Sequence, residues 1–160
     1  MGLSEDFESL YDTLFPDVYS YFNMCFGETV AEDLSQEIFM RVWNTLKNGK
    51  SPDNWRAWIF RCTVNLKNDY FRKKYSQAGN CEIAAHRAEN CLDDLQSLQI
   101  QKAFQKLENA DKELLFLKAE GFTSEEIGEF LGLSASAVRT RLQKSKQLFE
   151  TELEREGITV

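Results

Sequence analysis

Apolar residues recur every three or four positions along most of the chain, the spacing that places them on one side of an α-helix. The pattern is clearest in the segment 55–74, which contains neither glycine nor proline. Its apolar stripe is formed by Trp55, Ile59, Cys62, Leu66 and Tyr70. Its opposite side carries Arg61, Asn65, Asn68 and Arg72. The segment predicts a helix with one side packed on a core, while the other side either contacts nucleic acid or simply faces solvent.

Two further helices are predicted before this segment. The first spans residues 5–25, and Pro16 inside it predicts a kink or a break near Phe15, because proline removes a backbone hydrogen bond. The second spans residues 28–47, with an apolar stripe of Ala31, Leu34, Ile38, Val42 and Leu46. Its polar side carries Glu32, Asp33, Gln36 and Glu37. This acidic side fits either a solvated surface or a docking surface for a basic partner.

Residues 123–149 have the pattern of a helix-turn-helix motif. Thr123 or Ser124 is suited to cap the first helix, with Glu126 placed to return a hydrogen bond in a capping box. Gly132 then supplies a residue that tolerates positive φ, as a sharp turn requires. The motif predicts two short crossing helices near the end of the chain.

The second helix of this motif has the composition of a DNA-recognition helix. It is predicted to begin after a capping Ser134, and no acidic residue occurs between Ser134 and Phe149. Its inner stripe is Val138, Leu142, Ser145 and Phe149. Its other sides carry Ser136, Arg139, Thr140, Gln143, Lys144 and Lys146. Because arginine can hydrogen-bond guanine while serine, threonine and lysine can hold phosphates, this helix is predicted to bind DNA.

The distribution of charge changes the meaning of the acidic composition. The net charge is −7 over 160 residues. Residues 1–40 carry −9, residues 41–74 carry +7, residues 75–97 carry −3 and residues 98–160 carry −2. An acidic whole lowers non-specific affinity for DNA but leaves a local basic surface intact. Only two prolines occur, which favours an all-helical protein of one ordinary domain or two small ones.

Several functional classes find no support in the sequence. No apolar run reaches about 18 residues, and the acidic N-terminus lacks the order of a signal peptide, so we expect a cytoplasmic protein without membrane insertion. Cys81, His86 and Cys91 are evenly spaced, but they match no standard zinc motif and lack a fourth ligand. We expect reduced thiols and no cofactor. The single histidine and the absence of a phosphate loop or nucleophile motif argue against an enzyme.

Three blocks of sequence together resemble a bacterial extracytoplasmic-function (ECF) sigma factor of the minimal two-domain class. They are AEDLSQEIFMRVWNTL (31–46), WRAWIFRCTVNLKNDYFRK (55–73) and TSEEIGEFLGLSASAVRTRLQKSKQLF (123–149). The resemblance implies an all-α protein of two small helical domains joined by a flexible linker. The implied limits are 1–74 for a region-two helical bundle, 75–96 for the linker and 97–160 for a region-four helix-turn-helix domain.

The resemblance also implies a function for each surface. The clamp of the polymerase largest subunit would dock on Glu32, Asp33, Leu34, Gln36, Glu37 and Arg41. The −10 promoter element would be recognised and melted by Asn54, Trp58, Arg61, Asn65, Lys67, Asn68, Arg72, Lys73 and Lys74. The −35 element would be contacted by Ser134, Ser136, Arg139, Thr140, Arg141, Gln143 and Lys144. The implied partners are core RNA polymerase, including the flap of its second subunit, promoter DNA and an anti-sigma factor, which is often membrane-anchored.

Two other binding functions fit parts of the sequence. A stand-alone helix-turn-helix regulator would use residues 123–149 without polymerase, but it leaves residues 31–74 unexplained. An inhibitory helical adaptor would keep the fold and be indifferent to charge reversal at Arg139 and Arg141. Glutamine at position 143, where the resembled family commonly has a basic or larger residue, puts the promoter sequence in question rather than the class.

Overall fold

The described part of the chain is built from α-helices alone. The computed structural model describes residues 2–78 and 95–159, with the backbone alone over residues 75–78. The seven helices of this part are α1 (Leu3–Phe26), α2 (Glu28–Lys47), α3 (Trp55–Ala78), α4 (Leu95–Gln105), α5 (Asn109–Ala119), α6 (Ser124–Leu131) and α7 (Ala135–Arg155). They form two compact units, α1 to α3 and α4 to α7. The predicted all-α class is confirmed. Within the described residues, no helix has an apolar stretch of the length that crossing a membrane requires.

The first unit is organised around the pairing of α1 with α2. Gly27 alone joins the two helices, and its φ of 91° belongs to the region that favours glycine. The ring of Phe7 lies 5.5 Å from that of Trp43, and the ring of Phe15 lies 5.5 Å from that of Phe39. Since the earlier residue of α1 contacts the later residue of α2, the two helices run antiparallel. Fully buried residues from all three helices form the core: Val18, Tyr21, Phe22, Ile38, Val42, Ile59, Phe60 and Val64.

Helix α1 does not break at Pro16, contrary to that part of the prediction. It continues from Leu3 to Phe26 with Pro16 exposed inside it. Leu14 and Val18 on either side of the proline are buried, and Phe15 contacts Phe39 of α2. Packing on α2 holds the chain helical on both sides of the proline, which outweighs the loss of one backbone hydrogen bond.

Helix α3 buries a wider side than the sequence suggested. Ile59 and Leu66 of the predicted stripe are buried, but Phe60, Thr63 and Val64 are buried beside them. Trp55, Cys62 and Tyr70 of the stripe are only half-buried. Burial also raises the pKa of the Cys62 thiol, so this cysteine has the properties of a packing residue.

The helices extend into the predicted linker from both sides. Helix α3 continues to Ala78, four residues beyond the predicted domain limit at residue 74, and α4 begins at Leu95. The remainder of the predicted linker lies outside the described residues. Cys81, His86 and Cys91, whose spacing suggested a metal site, lie in that same part of the chain.

The second unit contains the helix-turn-helix motif in the predicted place. Thr123 Oγ1 accepts a hydrogen bond from Glu126 N at 3.1 Å, and Glu126 Oε1 accepts one from Thr123 N at 3.1 Å, which completes the capping box. Gly132 has a φ of 71° at the end of α6. Ser134 Oγ then accepts a hydrogen bond from Ala137 N at 3.1 Å and caps α7.

The turn itself is unusually close to α6. A Cβ atom at Gly128 would lie 2.4 Å from the carbonyl oxygen of Leu133, so only glycine fits this approach. The closest neighbour of Gly128 is therefore the backbone of the turn. Val138, Leu142 and Ser145 of α7 are buried against the rest of the unit, as the inner stripe predicted.

Candidate functional site

An acidic surface covers the outward side of α2. Five of the six residues assigned to polymerase docking are exposed, namely Glu32, Asp33, Gln36, Glu37 and Arg41. Arg41 Nη2 lies 3.2 Å from Glu37 Oε1, one helical turn away. The sixth residue, Leu34, is only 7% exposed and packs in the core, because it belongs to the apolar stripe of the same helix. The surface available to a partner is therefore polar and mainly negative.

Two large apolar residues of α2, which the helical pattern did not predict to be functional, extend this acidic surface. Met40 is 66% exposed and Trp43 is 38% exposed, although both belong to α2. The ring of Trp43 lies edge-on against Phe7 of α1, at 5.5 Å between centroids. The sequence did contain a signal for their exposure, because both are large apolar residues that lie outside the predicted buried stripe of α2. We name the surface formed by Glu32, Asp33, Gln36, Glu37, Met40 and Trp43 the α2 surface.

A row of cations and amides runs along the exposed side of α3. Arg61, Asn65, Asn68 and Arg72 are all exposed, at the spacing of one helix side. The guanidinium of Arg72 pairs with the Asp69 carboxylate three residues earlier. Lys73 and Lys74 follow Arg72 as exposed cations on other sides of the helix. Lys74 Nζ lies 5.8 Å from the centre of the Tyr70 ring. We name Arg61, Asn65, Asn68, Arg72, Lys73 and Lys74 the α3 ridge.

Three residues assigned to the −10 element have structural surroundings that set them apart from this ridge. Asn54 caps α3, because its Oδ1 accepts a hydrogen bond from Ala57 N at 3.2 Å. Trp58 is half-buried and lies edge-on to Trp55, at 5.4 Å between ring centroids. Lys67 is 8% exposed, because it follows the buried Thr63 and Val64 by one turn. Lys67 is therefore mostly buried in the protein without DNA, and its assignment to the −10 element stays a prediction.

The exposed side of α7 divides into a centre and two edges. At 100° per residue, Ser136, Thr140 and Gln143 lie opposite the buried stripe of this helix. All three are exposed, and Thr140 Oγ1 donates a hydrogen bond to the carbonyl oxygen of Ser136 at 3.1 Å. Arg139 lies at one edge, and Arg141 and Lys144 lie at the other. Ser134, the remaining residue assigned to the −35 element, caps the helix, because its side-chain oxygen accepts a hydrogen bond from Ala137 N.

Arg141 and Lys144 border a groove of about 460 Å³ between α7 and the turn that joins α4 to α5. The far wall of the groove carries Glu108 and Asp111. The carboxylate of Asp111 also accepts a hydrogen bond of 2.5 Å from the fully buried Ser145 hydroxyl. Both charges therefore occur around this edge of α7, whereas the centre of the exposed side has uncharged polar groups.

Arg139, at the other edge of α7, pairs with an acid of α6. Its Nη1 lies 3.4 Å from Oε1 of Glu125, and the two side chains are 60% and 69% exposed. A hydrogen bond from its own backbone N–H lowers the pKa of Glu125, and the Arg139 charge acts in the same direction. Glu125 is therefore ionised at neutral pH and presents a fixed negative charge beside Arg139.

Comparison with known families identifies both units of the chain. The family model described as sigma-70 region 2 matches residues 10–77, which include the α2 surface and the α3 ridge. The family model described as sigma-70, region 4 matches residues 97–148, which include the helix-turn-helix motif. Together with the all-helical fold, these matches define a two-domain sigma factor. The chain belongs to the sigma-70 family of RNA polymerase sigma factors, which is not a class of enzymes.

Individual relatives agree with this assignment. The chain is 30% identical over 135 residues to the probable RNA polymerase sigma factor RfaY of Xanthomonas campestris pv. campestris, an alignment of 77% of this chain and 34% of RfaY. It is 32% identical over 73 residues to the ECF RNA polymerase sigma factor SigX of Bacillus subtilis, an alignment of 45% of this chain and 38% of SigX. The chain thus spans little more than a third of the length of these two curated relatives.

A solved structure shares the fold. The sigma factor RpoE of Bartonella quintana, crystallised in complex with the anti-sigma factor NepR, superposes with a TM-score of 0.77 at 20% sequence identity. The superposition covers 94% of this chain and 98% of that chain. At this level of identity, the similarity establishes the architecture of the chain.

Proposed function

We propose that the chain is an ECF sigma factor that binds core RNA polymerase and directs it to specific promoters. The observation that carries this proposal is the presence in one chain of both family regions, of which the first has two exposed surfaces suited to different partners. The α2 surface is negative, while the α3 ridge is positive and rich in amides. Such a division is what a protein requires when it must hold both a polymerase and DNA.

The α2 surface is the proposed docking site for the clamp of the polymerase largest subunit. Its carboxylates would attract a basic partner and set the orientation of the encounter. Met40 and Trp43 would supply the desolvated apolar contacts that give an interface most of its binding free energy. The flap of the second polymerase subunit is the partner proposed for the unit formed by α4 to α7.

The two DNA functions are assigned to α3 and α7. The α3 ridge would hold the −10 element, with its arginines and lysines on phosphates and Asn65 and Asn68 available to hydrogen-bond bases taken out of the stack. On α7, Arg139 and the uncharged centre of the exposed side would contact base edges of the −35 element in the major groove. Arg141 and Lys144, at the other edge of α7, would bind phosphates of the DNA backbone.

Regulation and location follow from the same proposal. An anti-sigma factor, often membrane-anchored in this group, is the proposed regulator, and the structural neighbour in complex with NepR supports this type of partner. The chain would act in the cytoplasm, where polymerase and promoters are found. It would accelerate no covalent reaction of its own, because its role is to bind and to open DNA.

The decisive experiment is run-off transcription with purified core polymerase and a pool of fragments from the whole source genome. The proposal predicts transcripts that depend on this chain and begin at a shared promoter pattern. If no fragment gives chain-dependent initiation, the proposal fails. A stand-alone regulator would instead bind a palindromic duplex tightly in the absence of polymerase. An inhibitory adaptor would be unaffected when Arg139 and Arg141 are replaced by glutamate.

A further inference from the structure

The pair between Arg139 and Glu125 stands out because two neighbouring acids of α6 have different tasks. Glu126 is held by the capping box through the backbone N–H of Thr123. Glu125, one residue earlier, turns its carboxylate to Arg139 across the helix-turn-helix motif, 14 positions along the chain. Both members of this pair are more than half exposed, so the contact adds little to stability. Its place beside the recognition helix requires another explanation.

A carboxylate changes what a neighbouring arginine can do on DNA. A guanidinium has five N–H donors in a planar fork, and one contact to Glu125 leaves the others available for the two acceptors of guanine. Holding the side chain in one orientation reduces the conformational entropy that is lost on binding. The same negative charge disfavours phosphate contacts, because it repels the DNA backbone. Both effects favour contact with a base over contact with the backbone.

We propose that Glu125 is a positioning residue that directs Arg139 toward a base of the −35 element and gives the chain its sequence preference there. This inference rests on the proposed function, since it assumes that α7 binds promoter DNA. Glu125 itself need not touch the DNA. Its removal should therefore weaken discrimination between bases while leaving the overall affinity for DNA unchanged or increased.

The test uses holoenzyme assembled from the full chain and core polymerase. Promoter fragments recovered by run-off transcription are rebuilt with a randomised −35 hexamer, and bound fragments are sequenced for wild-type, Glu125→Gln and Arg139→Ala holoenzymes. We expect Arg139→Ala to abolish the preference for one base at one or two positions. Glu125→Gln should reduce the preference at those same positions by roughly two- to fivefold, the effect of losing an exposed charged pair.

Two controls separate positioning from other effects. Glu126→Gln removes the same charge one residue further along, and glutamine keeps the capping box, so base preference should stay at the wild-type level. In the Arg139→Ala background, Glu125→Gln should cause no further loss of preference. Equal effects of Glu125→Gln and Glu126→Gln, or no effect of Glu125→Gln at the positions controlled by Arg139, would overturn the inference. A wild-type holoenzyme that selects no hexamer would overturn the proposed −35 function itself.

Discussion

The Ser145 hydroxyl donates a hydrogen bond to Asp111 Oδ1 across 2.5 Å and thereby connects α7 to α5. Ser145 is fully buried, while Asp111 lies half-buried in the first turn of α5. Rotation of α7 about its axis would move Ser136, Thr140 and Gln143 away from the centre of the exposed side. One buried hydrogen bond therefore connects the core of this unit to the orientation of its candidate DNA-binding surface.

Replacing Ser145 with alanine should destabilise the second unit by about 1–3 kcal/mol, because a half-buried carboxylate loses its partner. Hydrogen exchange at the amides of α5 and α7 measures this change. All three tryptophans, Trp43, Trp55 and Trp58, belong to the first unit, so the denaturation followed by their fluorescence should stay unchanged. Ser136→Ala, at an exposed site of α7, is the matched control. If Ser145→Ala and Ser136→Ala changed the exchange rates equally, the hydrogen bond between Ser145 and Asp111 would not be what stabilises this unit.

Reversing the charge of the α2 surface should weaken association with core polymerase. The double variant Asp33→Lys, Glu37→Lys places two cations where a basic partner is proposed to dock. Its affinity should fall by about tenfold or more, since like charges across an interface cost several kcal/mol. Fluorescence anisotropy of labelled chain with core polymerase measures this. The variant Glu8→Lys, Asp12→Lys makes the same change of net charge at exposed sites of α1, and an equal loss there would show a general field effect.

Removing the amides of the α3 ridge should impair promoter opening. Asn65→Ala combined with Asn68→Ala changes two exposed side chains, so stability should stay within about 0.5 kcal/mol. Binding to core polymerase should also stay near the wild-type level, while reactivity of −10 thymines toward permanganate should fall. A template with a pre-opened bubble should restore initiation. Loss of polymerase binding instead would mean that these residues support the fold.

Local patterns predicted much of the fold, because the relevant interactions lie within a few residues of each other. The limits of α2 follow from Gly27 before it and Asn48-Gly49 after it, and every residue of its predicted stripe is buried. The spacing of Thr123 and Glu126 likewise predicts the capping box of α6. These features depend on residues close together in the sequence, so helical periodicity and cap residues are sufficient to find them.

Features that depend on contacts between helices were not predictable in this way. The continuity of α1 through Pro16 depends on packing against α2. Lys67 has the charge of a DNA contact, yet it is buried because it lies on the same side of α3 as the buried Thr63 and Val64. The contacts of Ser145 with Asp111 and of Arg139 with Glu125 join residues far apart in the chain. The DNA and polymerase roles of the exposed residues stay predictions, and the variants above test them.

The C-terminal end of α7 should be held to the α4–α5 turn in a pH-dependent way. Lys106 Nζ lies 2.7 Å from Glu156 Oε1, and this hydrogen bond raises the pKa of Lys106 and lowers the pKa of Glu156. A lowered carboxyl pKa means that the contribution is present at neutral pH and is lost as the pH falls through the folded pKa of Glu156. A raised lysine pKa means that it is lost again as the pH rises through the folded pKa of Lys106.

Protection factors for the amides of Gly157 and Ile158, which close the end of α7, measure this contact. They should be highest at neutral pH and decline toward both extremes. Glu156→Gln should lower the neutral-pH protection and reduce the acidic decline, because a neutral amide does not change its charge and only the longer contact of Lys106 with Glu152, at 4.0 Å, is left. Glu154→Gln, at an exposed site two residues earlier, should keep the wild-type profile. A flat profile in the wild-type protein would mean that the side-chain pair does not hold this end of the helix in solution.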